Sequence, residues 1–168
     1  DTLDGGAGYD TADYSGLGEA ITLERAGAIN KGSSGTDQIA NIETIVGATG
    51  LANAIDGSTG TSGVTSFTVD LSTESLTVNN IPVIGSQSFT VQNFVNVTGT
   101  SNTDTLTGDA NDNTFGGSAG NDTLDGGAGN DTADYSGLGE AITLERAGAI
   151  NKGSSGTDQI ANIETIIG

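Results

Sequence analysis

From Gly99 to Asp134 the chain counts in nines: GTSNTDTLT (99–107), GDANDNTFG (108–116), GSAGNDTLD (117–125) and GGAGNDTAD (126–134). The sixth position reads Asp104, Asn113, Asp122, Asp131, and the eighth reads Leu106, Phe115, Leu124, Ala133. One apolar residue in nine can line neither a helix face nor an ordinary half-buried strand. It suits a short strand with one side chain turned inward, reached by a tight turn at each end. Gly at the first, second and fourth positions, with Asn102 and Asn111 at the fourth in the weaker turns, offers the left-handed backbone that such an arc needs. Two nonapeptides then close a coil of about 18 residues, and coils stack at roughly 4.8 Å.

The same rhythm opens the chain. GGAGYDTAD (5–13) places Asp10 sixth and Ala12 eighth, and the partial turn before it supplies Asp1 and Leu3. A rougher version runs over 48–65, with Ile55 and Val64 in the apolar slot and Asn53 and Ser62 in the sixth. A longer period encloses both blocks. Residues 122–168 repeat residues 1–47 except that Tyr9 becomes Asn130 and Val46 becomes Ile167, an offset of 121. The chain therefore reads as one unit (1–121, with related halves at about 1–60 and 61–121) followed by the start of a second (122–168). It is expected to form one continuous solenoid and to be a piece of a tandem array. The halves are related through QIANIETIVG (38–47) and TVQNFVNVTG (90–99), and through ITLER (21–25) and FTVDL (67–71).

Charge decides what such a stack needs. With 22 Asp and Glu against 4 Lys and Arg, net charge -18, the chain repels itself unless a cation neutralises it. Turns two nonapeptides apart share an edge, so Asp104 faces Asp122 on one side and Asn113 faces Asp131 on the other. Between them lie the carbonyls of the first and third positions: Gly99 and Ser101, Gly108 and Ala110, Gly117 and Ala119, Gly126 and Ala128. Asp1, Gly5, Ala7 and Asp10 repeat the arrangement in the first copy. Such hard oxygens, six to eight to an ion, are what Ca2+ takes. Asp13 and Asp134, at the ninth position, either join them or cap the turn by accepting backbone N–H bonds.

No Cys or His is present, which removes disulfides, thiolate sites, the usual zinc ligand and the commonest general base. DANDN (109–113) fails as a helix–loop–helix calcium loop, because Thr114 and Gly120 stand where Gly and Glu are required. No apolar run is long enough to span a membrane, and the charge argues against nucleic acid. Phe67, Phe89, Phe94 and Phe115 are expected in the core and Tyr9 on the surface. Arg25, Lys31, Arg146 and Lys152 are also expected on the outside.

The GGAGYD and GGAGND turns resemble the repeats-in-toxin (RTX) family, whose signature is GGxGxD followed by x, a large apolar residue and x. The resemblance implies an all-β, right-handed parallel β-solenoid (β-roll) with calcium ions between stacked turns. It also implies an extracellular or bacterial cell-surface location reached by type I secretion. The expected role is structural rather than enzymatic: a fibril, surface layer or adhesin stalk. Its expected partners are further copies of the same repeat, in tandem or head to tail between chains. The alternative is a module that binds a polysaccharide beside an enzyme, which the negative charge and scarce aromatics disfavour.

Overall fold

The nonapeptide blocks fold as coils whose strands are only three residues long. In the computed structural model, which describes residues 1–25, 27–58 and 65–168, β1 (Thr2–Asp4) and β2 (Thr11–Asp13) open two facing sheets. Ser62 and Val64 lie outside the described residues. At the far end, β12 (Thr105–Thr107), β13 (Thr114–Gly116), β14 (Thr123–Asp125) and β15 (Thr132–Asp134) alternate between the sheets. Their parallel registers, Leu106 on Leu124 and Phe115 on Ala133, are 18 residues apart, so two nonapeptides do make a coil.

The stretches between the blocks are not parallel coils. Each replaces one strand with a three-stranded antiparallel meander. The first is β3 (Thr22–Glu24), β4 (Ala28–Asn30) and β5 (Thr36–Ala40). Single strands β6 (Thr44–Val46) and β7 (Asn53–Asp56) follow. The second meander is β8 (Ser66–Asp70), β9 (Ser75–Ile81) and β10 (Gly85–Gln92), after which β11 (Phe94–Thr98) returns to the coil. The third is β16 (Thr143–Glu145), β17 (Ala149–Asn151) and β18 (Thr157–Ala161), and β19 (Thr165–Ile167) closes the described chain. Each meander's last strand docks in parallel on an earlier coil strand: β5 on β1, β10 on β6, β18 on β14. Its first strand receives a later one, β7 on β3 and β12 on β8.

One sheet runs β1-β5-β4-β3-β7-β11-β13-β15-β19 and the other β16-β17-β18-β14-β12-β8-β9-β10-β6-β2. The unit 1–121 thus puts one meander into each sheet, and both sheets lengthen together. The equivalents of β1 and β2 in the second copy, β14 and β15, lie in the opposite sheets from their counterparts. A unit therefore contains an odd number of sheet-to-sheet steps.

The core is two columns of inward side chains. Val69, Leu106, Leu124 and Ile160 stack in one sheet, and Ile55, Val97, Phe115, Ala133 and Ile166 in the other. Ala12 and Ala133, small for the slot, are nevertheless buried. The adjoining Tyr14 and Tyr135 are buried too, and the Tyr135 ring lies against Gly117. All four expected roles for Phe hold, with Phe89 only partly buried, and Tyr9 is 95% exposed.

Glycine acts differently at each turn position. The second and fourth positions take positive φ, as at Gly127 (87°) and Gly129 (142°). Asn102 and Asn111 do not enter the left-handed region, contrary to expectation. The Asn residues that do are Asn41 (52°), Asn93 (62°) and Asn162 (51°), just before β6, β11 and β19, and Asn80 (57°) inside the second meander. First-position Gly keeps negative φ and is needed because there is no room: a Cβ at Gly126 would run into Asn162 O and the Asp131 side chain. Gly126→Ala should therefore destabilise the chain by about 1–3 kcal/mol, the cost of overpacking. Gly137→Ala, with open space around it, should be neutral or stabilising by about 0.4–1 kcal/mol. Denaturant titration of both variants in calcium checks this, and equal midpoints would remove the steric reading.

Candidate metal centre

The sixth-position side chains form two ladders, one on each edge of the solenoid. On the first edge, Asp158 Oδ1 accepts the Asp122 N–H (2.9 Å), Asp122 Oδ1 accepts the Asp104 N–H (2.9 Å), and Asp104 Oδ1 accepts the Phe67 N–H (2.5 Å). On the second, Glu164 Oε2 accepts the Asp131 N–H (2.8 Å) and Asp131 Oδ1 accepts the Asn113 N–H (2.8 Å). Glu43 does for Asp10 what Glu164 does for Asp131 (2.9 Å). Asn53 is the rung of its coil, accepting from the Ile21 and Ala48 N–H groups. One carboxylate oxygen of each acid thus fixes the coil above, where strand N–H groups would otherwise be orphaned.

The second oxygen differs from rung to rung. Asp104 Oδ2 accepts the Thr100 N–H (2.7 Å). Asn113 turns its Oδ1 to the Asp109 N–H (2.9 Å) and donates to Val95 O (3.0 Å). Asp122 Oδ2 meets Lys152 Nζ at 3.2 Å. Asp10 Oδ2 and Asp131 Oδ2 are buried and accept no hydrogen bond among the described residues. A buried anionic oxygen without a partner is costly unless a cation meets it.

Backbone oxygens close in around these acids. Added Cβ atoms at Gly108, Gly126 and Gly127 would strike Gly126 O, Asn162 O and Asp109 O respectively, so carbonyls fill the gaps between stacked turns. Among the described residues no three acidic side chains converge tightly enough to hold an ion by themselves. Carbonyls must therefore make up the set, as they can for a hard cation that takes six to eight oxygens.

The edges carry the sequence-expected residues in the expected pairs: Gly99, Ser101 and Asp104 over Gly117, Ala119 and Asp122, and Gly108, Ala110 and Asn113 over Gly126, Ala128 and Asp131. Gly5, Ala7 and Asp10 stack on the segment around Asn41 and Glu43. Asp1 is exposed, and its ammonium contacts Asp37 Oδ1 (3.2 Å). Asp13 and Asp134 cap their turns, each accepting a Ser N–H two residues on (2.8 and 2.9 Å).

Two placements overturn the sequence reading. Lys152 is wholly buried and Lys31 mostly so, whereas Arg146 is exposed as expected and Arg25 half-buried, donating to Thr65 Oγ1 at 3.2 Å. Asp37, Asp158, Glu43 and Glu164 are ladder members that the nonapeptide count passes over. For the two Asp the spacing was the available signal: Asp158 stands 36 residues after Asp122, two coil lengths, and is buried directly beneath it, whereas Glu43 and Glu164 stand 33 residues after Asp10 and Asp131, off the nonapeptide count.

Charge and burial compete here. Burial, ahead of any other cause, holds the Asp104, Asp122 and Asp131 carboxyls above the ordinary range, and for Asp131 the charges of Glu164, Asp112 and Asp109 add to it. Asp37 is held below that range by its hydrogen bond from Lys31. A raised carboxyl binds its proton better in the folded chain, so its contribution is full below the ordinary carboxylate pKa and is lost as pH rises through the raised value. Asp37 and the other lowered carboxyls, Asp13, Glu19, Asp70, Asp134 and Glu140, run the opposite way, but their contribution is lost only below the ordinary carboxylate range, outside the window from pH 8 to 5. In chelator, the folded fraction should therefore rise as pH falls from 8 to 5. Circular dichroism checks this, and a fraction that falls would reverse the assignment.

Residues 1–12 and 98–133 match the model of the RTX calcium-binding nonapeptide repeat, in four copies. The chain carries RTX repeats. The match covers both nonapeptide blocks and leaves the meanders outside it. A search of curated proteins finds no match. RTX repeats are structural calcium-binding elements, and the orphaned Asp10 and Asp131 oxygens among inward carbonyls fit that ion. Calcium bound there would supply positive charge between coils, while Asp131 and Glu164 continue to hold the strand N–H groups. No described helix is long and apolar enough to cross a membrane.

Proposed function

We propose that the chain is a calcium-stiffened structural segment of a secreted or cell-surface protein, built from 121-residue units stacked as a rod in a fibril, surface layer or adhesin stalk. The observation that carries this is the junction between the copies. Strands β12 and β13 of the first unit pair with β14 and β15 of the second in the parallel, 18-residue register used within a block. Continuous pairing across the junction supports reading each copy as lengthening one body. Separate chains can stack through the same ladder, a heterologous contact that stays open and grows. Type I secretion is the export route that goes with this reading.

Counted along the sheets, a unit advances six to seven strand spacings, about 31 Å at roughly 4.8 Å each. Chains of one, two and four units, compared by small-angle scattering in calcium, should grow by about that step at constant cross-section. Growth in cross-section, or flexible beads, would defeat the rod. Light scattering of single chains through a calcium titration reports whether they also assemble.

A further inference from the structure

Lys152 has no exposed side-chain surface, yet its ammonium is fully engaged. Nζ lies 2.5 Å from Asp158 Oδ1, 2.6 Å from Ser118 O and 3.2 Å from Asp122 Oδ2. Three donors meet three oxygens, and these come from two stacked levels of the first edge: the second and sixth positions of the turn at 117, and the rung below it.

The other edge supplies the comparison. Asp122 and Asp131 do the same work with Oδ1, holding the N–H of the sixth residue one coil above. They differ in what meets Oδ2. Asp131 Oδ2 is buried and unpartnered, whereas Asp122 Oδ2 has the ammonium. The first copy repeats the device. Lys31 Nζ lies 2.6 Å from Asp37 Oδ1 and 3.9 Å from Asp1 Oδ2. In both copies a buried tyrosine holds the remaining oxygen of the lower acid, Tyr14 on Asp37 and Tyr135 on Asp158, each at 2.9 Å.

We propose that Lys152 and Lys31 are built-in cations that occupy the inter-coil position calcium takes on the opposite edge, so that one edge of each unit is closed without metal. The proposal rests on the calcium reading of the nonapeptide turns. A single ammonium satisfies three oxygens without the six to eight ligands that calcium demands. It sits where a block of nonapeptides gives way to a meander: beneath Asp122 lies a strand of the meander, β18, which brings Asp158 under the turn. Each unit thereby carries a rung whose register does not vary with calcium concentration.

Removing the ammonium should turn this position into a metal site. Lys152→Ala leaves two buried carboxylates and a carbonyl facing a vacated space. By calorimetric titration it should bind one more calcium ion per chain than the unaltered protein. Terbium provides a second readout, because an ion held by Asp158 lies beside the Tyr135 ring: tyrosine-sensitised emission should increase several-fold in Lys152→Ala and be displaced by calcium. Lys152→Gln, which keeps the stem but not the charge, should need a higher calcium concentration to fold. Variants that fold in calcium and bind no extra ion overturn the proposal. So does failure of both Lys152→Ala and Lys152→Gln to fold at saturating calcium, since the ion should replace the ammonium. Should the unaltered chain bind no calcium at all, the calcium reading falls, and the lysine proposal is then decided by whether the variants gain an ion.

Discussion

Chelation at neutral pH should abolish the β signal of this chain, and millimolar calcium should restore it. The reason lies in the second edge. Asp131 is fully buried with one oxygen unpartnered, and the charges of Glu164, Asp112 and Asp109 bear on it. Without metal the folded state must hold that charge against burial and repulsion together, a cost of several kcal/mol for an uncompensated buried ion. The glycines that let carbonyls approach add backbone entropy to the cost of ordering. Extracellular calcium modules bind with Kd on the order of 10⁻⁴–10⁻³ M, and each site at about 100 times its Kd contributes roughly 2.7 kcal/mol. Two such sites already equal the lower end of ordinary domain stability, about 5 kcal/mol. The test is circular dichroism through a calcium titration started in chelator. A spectrum unchanged by full chelation would mean that the lysine-closed edge and the apolar columns suffice alone.

Phe115→Ala should be the most damaging single truncation in the nonapeptide block, at about 3–5 kcal/mol. Its side chain is fully buried, and it is the largest residue in its column, stacked between Val97 and Ala133. Ala133 cannot expand into the gap, and the short strands on either side are held in register by the carboxylate ladder, so the site has little freedom to collapse. Tyr9→Ala should change stability by no more than about 0.5 kcal/mol, as its 95% exposure suggests. Denaturant unfolding of both variants at saturating calcium gives the comparison. If the two midpoints shift alike, the column is not what holds the block together.

The nonapeptide turns were legible because their rules are local. Positive φ at Gly6 and Gly127, an inward eighth residue and a sixth-position acid every 18 residues can all be read from spacing. The meanders were not. ITLER and TDQIA look like coil strands, and nothing within them says that AIN will turn back between them to make β4. That outcome depends on which neighbour pairs, a non-local choice. The lysines were misplaced for a related reason. A single Lys in a polar loop reads as solvated, and only the fold brings Asp122, Asp158 and Ser118 O to Lys152. The first-position glycines were recognised but for the wrong cause: Gly126 answers to Asn162 on the next coil and not to its own φ.

The exchange of sheets between copies has a mechanical meaning. Because β14 and β15 lie opposite to β1 and β2, successive units of the proposed array would be related by a two-fold screw along its axis. Its axial period would then be two units, about 62 Å at the strand spacing used above. Any curvature that a meander imposed on one unit would be cancelled by the next, so a filament of such units would run straight instead of coiling. Whatever a unit carries on one flank would also alternate sides along the length. Such a shaft would have no preferred lateral face, and side-by-side packing into a layer would use both flanks equally.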